Sequence, residues 1–78
     1  MRDEELREWL RDQIAEESGI PAHDISFDDE LGKFRLDSLA VVSVAFELES
    51  RANVPISPAI FSEFNTINKI TGWITSQK

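Results

Sequence analysis

The sequence predicts an all-α fold: a small four-helix bundle of three main helices and one short one, with a long first connection. Three observations carry this. Apolar residues recur at helical spacing in well-separated stretches. No segment alternates with period two for long enough to make a strand. And 78 residues with only three Gly and three Pro allow one core and few breaks, so residues 1–78 form a single domain.

The first helix runs from about Asp3 to Glu17. Leu6, Trp9, Leu10 and Ile14 form one stripe, and Asp3, Glu4 and Glu5 sit where the helix dipole favours acids. Gly19 suits a left-handed C′ position, and Pro21 bars continuation. Residues 20–36 read as a long loop. Ile25, Phe27, Leu31 and Phe34 are its scattered apolar residues, expected to pin it onto the core. A loop of this length in a compact domain is often functional.

Asp37 is a good N-cap for a second helix from Ser38 to about Ala52, ended by Asn53 and Pro55. Ser57-Pro58 reads as a cap followed by Pro at the first helical position, opening a short third helix at about Pro58–Phe64. Thr66 or Asn65 caps a fourth, with Ile67, Ile70, Trp73 and Ile74 on one face. Trp9 and Trp73 are read as core residues.

The second helix has two apolar faces. At about 100° per residue, Val44, Ala45, Leu48 and Ala52 fall within about 60° of Val41, a natural core stripe. Leu39, Val42 and Phe46 lie about 100–160° away from Val41 and form a second stripe. A bundle of this size does not easily bury both. Either the long loop covers the outer stripe, or it stays open for a partner.

Composition removes several function classes. Fifteen acids against eight bases give a net charge of −7, unsuited to binding a nucleic-acid backbone. Eleven acids and five bases lie in residues 1–35, leaving only four acids and three bases in residues 36–78. With no Cys there is no disulfide, thiolate metal site or cysteine nucleophile. The single histidine, His23, excludes a two-histidine zinc site and reads as a solvated loop residue. Asp28-Asp29-Glu30 lacks the ligand spacing of a calcium loop and reads as a solvated charge run. The sequence offers no catalytic residue and no metal ligand set. The longest apolar runs are a few residues, so neither a membrane span nor a signal peptide is expected, and the protein is read as cytoplasmic.

Leu36-Asp37-Ser38-Leu39 is the informative stretch. Ser38 follows an N-cap at a helix start, where backbone N–H groups and the helix dipole favour an attached phosphate. No adjacent base activates its hydroxyl. Ser38 is therefore a poor nucleophile alone and a good acceptor when another enzyme supplies the base.

Asp37-Ser38-Leu39 opening an apolar helix, after a long loop and a first amphipathic helix, resembles an acyl carrier or peptidyl carrier protein of the stand-alone type. The resemblance covers the whole chain. Ile25 and Leu31 fall where that family keeps loop anchors, and Val54–Ile56, Phe64, Thr66-Ile67 and Trp73-Ile74 match its third and fourth helices. It implies a 4′-phosphopantetheine arm, transferred from coenzyme A onto Ser38 by a phosphopantetheinyl transferase. It also implies cargo held as a thioester on the arm, and a protein with no chemistry of its own. The implied partners are that transferase, a loading ligase or acyltransferase, and a downstream synthase or transferase. The carrier is expected to be a monomer, with no nucleic acid and no membrane insertion.

Two departures from the family pattern stand out. Arg35 occupies the position, two before Asp37, where family members usually have Gly. Ser43 stands where an acid is common in fatty-acid carriers. Together with a second helix carrying only Glu47, Glu49 and Arg51, this favours a polyketide, nonribosomal or other specialised pathway; residues 61–70 somewhat resemble D-alanine carriers. The rival reading is an unmodified helical interaction module with a carrier-like fold, against which Ser38 after Asp37 argues. For partner docking, Leu39, Val42 and Phe46 are the expected surface beside Ser38.

Overall fold

A computed structural model describes residues 2–77. Four α-helices make the frame: α1 (Asp3–Ser18), α2 (Ser38–Ala52), α3 (Ile60–Glu63) and α4 (Ile67–Ser76). No strand occurs among the described residues. α1 packs against both α2 and α4.

The helix ends follow the local chemistry. Gly19 ends α1 at φ 77°, its N–H donating to the Ala15 carbonyl. Asn53 ends α2 at φ 58°, a left-handed conformation that asparagine tolerates. The Thr66 hydroxyl accepts the Lys69 N–H at 3.1 Å and opens α4. The core is aliphatic: Leu6, Leu10 and Ile14 of α1 meet Val44 and Leu48 of α2 and Ile67, Ile70 and Ile74 of α4. Thr71, the most buried polar residue, returns its hydroxyl to the Ile67 carbonyl at 2.8 Å and so leaves no unpaired donor.

The third helix is shorter than the expected Pro58–Phe64. Residues 58–59 form a turn instead, closed by i→i−3 bonds from Ile60 N–H to the Ser57 carbonyl and from Phe61 N–H to the Pro58 carbonyl. The Ser57 hydroxyl accepts from Ala59 N–H, and Phe64 is already extended, so only one α-helical turn survives.

The long connection is less irregular than its sequence. It holds two 3₁₀ turns, Ala22–Asp24 and Leu31–Phe34. Ile25, Leu31 and Phe34 are buried and Phe27 half-buried, as anchors should be. The guanidiniums of Arg7 and Arg11 lie over the Phe27 ring at 6.0 and 5.6 Å. Backbone bonds then tie the loop to the α4 entrance. Leu31 N–H donates to the Asn65 carbonyl at 2.8 Å, and Asn68 N–H to the Phe27 carbonyl at 3.0 Å. The second of these satisfies a first-turn donor of α4 that has no partner within the helix.

Within the acidic run, Asp28 and Asp29 make specific contacts, while Glu30 stays exposed as a solvated charge. Asp28 Oδ1 accepts from Asn68 Nδ2 at 2.7 Å. Asp29 accepts the Ser26 N–H at 2.8 Å and pairs with Lys33 Nζ at 3.0 Å. The Ser26 N–H and the Lys33 ammonium hold the Asp29 carboxyl below its ordinary value. Both tryptophans are half-buried at the core's edge rather than inside it. Trp9 lies beneath the Arg51 guanidinium at 4.7 Å, and Trp73 tilts against Phe64 at 6.0 Å. At the other end of the chain, the Thr75 hydroxyl donates to Asp3 Oδ1 at 2.8 Å.

Candidate functional site

The site is built by the transition from the second 3₁₀ turn into α2. Leu31 and Phe34 bury themselves and fix the turn. Arg35 then adopts φ 51°, ψ 46°, with its N–H on the Gly32 carbonyl at 3.3 Å. A left-handed residue here reverses the chain and sends Leu36 and Asp37 toward the helix start. Asp37 is extended, and its Oδ1 accepts the Ala40 N–H at 2.8 Å while its carbonyl accepts from Val41 at 3.0 Å. The expected cap is thus in place.

Ser38 is the first residue of α2 and is exposed. The Ala40 donor is taken by Asp37, but the N–H groups of Ser38 and Leu39 have no acceptor among the described residues. Two free donors and a free hydroxyl therefore share the positive end of a 15-residue helix.

α2 resolves its two-faced pattern in favour of an open outer face. Val44, Ala45, Leu48 and Ala52 are no more than 2% exposed. Leu39, Val42 and Phe46 are 80%, 49% and 74% exposed. The long loop does not cover them because its anchors draw it to α1 and to the α4 entrance. Asp37, Ser38 and Leu39 share the start of the helix, and Val42 and Phe46 continue the outer face one and two turns on.

Other residues weighed in the sequence fall elsewhere. His23 is exposed in the first 3₁₀ turn, 3.6 Å from Asp24. Among the described residues, no group of three or more His, Cys, Asp or Glu could hold a metal ion, and no helix is long and apolar enough to cross a membrane.

Two grooves were not legible in the sequence. One, of about 190 Å³, lies beside the α2 entrance and is lined by Arg35, Leu36, Val41 and Phe61 among others. The other, of about 490 Å³, lies between the end of α2, the 55–60 segment and α4, with Glu49, Ile60, Phe64 and Trp73 on its walls. Glu49 accepts the Ile56 N–H at 2.7 Å across seven residues, a tie that no helical spacing announces. For the first groove the signal in the sequence was Arg35, a bulky residue where the family pattern usually has Gly.

The family described as "Phosphopantetheine attachment site" matches residues 8–74. The acyl carrier protein TtuC of Teredinibacter turnerae (strain ATCC 39867 / T7901) is 30% identical over 74 residues, covering 95% of this chain and 85% of that protein. A free-standing peptidyl carrier protein from an uncharacterized Acinetobacter baumannii secondary metabolic pathway superposes with a TM-score of 0.86. That match covers 96% of this chain and 94% of the other, at 23% identity, and so speaks to the fold.

Proposed function

Because the chain belongs to the phosphopantetheine attachment-site family, we propose that Ser38 bears its 4′-phosphopantetheine arm and that the protein is a stand-alone carrier without catalysis of its own. The observation that supports this best is the exposed Ser38 hydroxyl at an Asp37-capped helix start, with the Ser38 and Leu39 N–H groups unclaimed. That donor set fits a phosphodiester: a hydroxyl to be esterified and two N–H groups for its anionic oxygens.

Ser38 Oγ forms the new O–P bond with the phosphopantetheine of coenzyme A. The bond to adenosine 3′,5′-bisphosphate breaks, and the hydroxyl proton goes to a base of the transferase. Asp37 accepts the Ala40 N–H through Oδ1 and serves as the cap of the helix that carries Ser38. When attached, the arm supplies a terminal thiol for a thioester. Leu39, Val42 and Phe46 give the incoming enzymes an apolar foothold next to Ser38.

The partners are a phosphopantetheinyl transferase, a loading ligase or acyltransferase, and a downstream synthase or transferase. An acyl or aminoacyl cargo in a specialised pathway fits the roles in the relatives' names, an acyl carrier and a peptidyl carrier of secondary metabolism. The apolar rather than acidic outer face of α2 supports the same choice.

The test is to incubate the apo protein with coenzyme A and a promiscuous transferase, then measure intact mass and map the modified peptide. One arm at Ser38 in the wild type and none in Ser38→Ala is the expected result. An unmodified wild type, or an arm at another residue, overturns the reading.

A further inference from the structure

We propose that Arg35 is a positioning residue that holds the phosphodiester of the attached arm against the N-terminus of α2. This rests on the reading of Ser38 as the attachment residue.

An arm on Ser38 places a full negative charge one residue from the Asp37 carboxylate. Asp37 is committed to the Ala40 N–H at 2.8 Å, so it is held in place beside the new charge. Two like charges this close repel unless a cation offsets them. Only two cations flank the helix start in sequence, Lys33 and Arg35. Lys33 is engaged elsewhere: its Nζ lies 3.0 Å from Asp29 Oδ1 and over the Phe34 ring at 5.5 Å. Arg35 is exposed and belongs to none of the ion pairs among the described residues.

The backbone keeps Arg35 near the place where it is needed. Its left-handed turn closes on Gly32 and lines the groove together with Leu36 and Val41, which flank Ser38 in sequence on either side. Two residues, Leu36 and Asp37, separate Arg35 from Ser38, so their Cα atoms are at most about 11 Å apart, a gap that an arginine stem spans most of. A planar guanidinium presents paired N–H donors that match two phosphate oxygens, which a lysine cannot reproduce. The free N–H groups of Ser38 and Leu39 complete the set from the helix side.

The experiment compares wild type, Arg35→Gln and Arg35→Lys, each converted to the holo form and checked by intact mass. Phosphorus-31 transverse relaxation reads the mobility of the diester, and the Arg35 Nε–Hε resonance reads the partner directly. An exposed charge pair biases the held population by about 1.4- to 5-fold. The wild-type diester should therefore relax with the protein, and Arg35→Gln should loosen it by a comparable factor, with Arg35→Lys between. Salt raised to 1 M, where the screening length is about 3 Å, should loosen the wild type and leave Arg35→Gln unchanged. The Arg35 Nε–Hε signal should shift between apo and holo wild type. Equal phosphorus relaxation in wild type and Arg35→Gln, or an unmoved Arg35 signal, overturns the proposal. A change in partner-catalysed rates without those spectral changes also overturns it, because Arg35 then meets a carboxylate of the partner. A wild type that takes no arm overturns the Ser38 reading itself, which separates the two failures.

Discussion

The two faces of α2 are made from similar residues and do different things. Val44 and Leu48 on the inner face are almost completely buried, whereas Leu39 and Phe46 on the outer face are among the most exposed apolar side chains of the protein. Burial of an aliphatic side chain contributes stability in proportion to the surface removed from water. The outer face removes much less, so most of what it can contribute appears only when a second molecule covers it. If the outer face serves recognition as proposed, stability and recognition are separable along a single helix, and substitution on one face should leave the other largely intact.

The largest expected effect tests the inner face. Leu48→Ala should cost about 2–5 kcal/mol, read from a denaturant melt of the apo protein. Phe46→Ala should leave the same melt within about 0.5 kcal/mol. It should slow arm transfer or loading by roughly tenfold or more, as expected for an aromatic at an interface centre. A melt lowered equally by both substitutions would break the comparison. Salt sharpens it: with only Glu47, Glu49 and Arg51 charged on α2, transfer should slow mildly as exposed charges are screened within about 10 Å at 0.1 M.

Next in size is the helix start. Asp37→Ala removes the acceptor of the Ala40 N–H and should cost about 0.5–2 kcal/mol, while Ser38→Ala should stay within about 0.5 kcal/mol. Matching thermal melts for wild type and Asp37→Ala would remove the capping role.

Arg35→Gly should move stability the other way. A left-handed conformation costs a residue with a Cβ about 1–2 kcal/mol, of which the greater freedom of glycine in the unfolded chain returns about 0.5–1 kcal/mol. A melting temperature unchanged or raised by a few degrees is expected, and a fall would show that the Arg35 side chain stabilises the turn itself.

The smallest effect concerns pH. Asp29 is held below its ordinary carboxyl value of 3.8 by the Ser26 N–H and Lys33. Its folded form therefore binds a proton less readily than its unfolded form. The stability it adds is complete above that ordinary value and disappears as pH falls through the lower folded value. Asp29→Asn should flatten the acid limb of the stability profile below pH 4 and leave neutral pH behaviour to the other contacts. An acid limb identical to that of the wild type would show that Asp29 is not a source of it.

The sequence was most informative where chemistry is local. Asp37 and Thr66 begin helices through side-chain caps, and Gly19 and Asn53 end them in the left-handed conformation that these residue types tolerate. The Ser38 environment was legible for the same reason, since a cap and the residue after it are neighbours in the chain. What the sequence left open depends on distant partners. The 3₁₀ turns at 22–24 and 31–34 are too short to carry a period, and Leu31 finds Asn65 only in three dimensions. The helical wheel divided α2 into two faces but could not say whether the loop lay over one of them. In the structure the loop is held against α1 by Phe27 under Arg7 and Arg11 and against the α4 entrance by the Leu31–Asn65 and Asn68–Phe27 backbone bonds, and the outer face stays open.

The hydrogen bond between Thr75 and Asp3, 72 residues apart in sequence, also has a topological meaning. It brings the first turn of α1 beside the last turn of α4, so the described chain is nearly a ring. In a ring, no position is privileged as the beginning. A new opening in an exposed connection, with residues 2 and 77 joined by a short bridge, leaves every helix with the same neighbours. Tethers joined at residues 2 and 77 would start from the α1–α4 edge, while Ser38 lies at the entrance of α2. A pull on either tether therefore acts on the same edge of the ring.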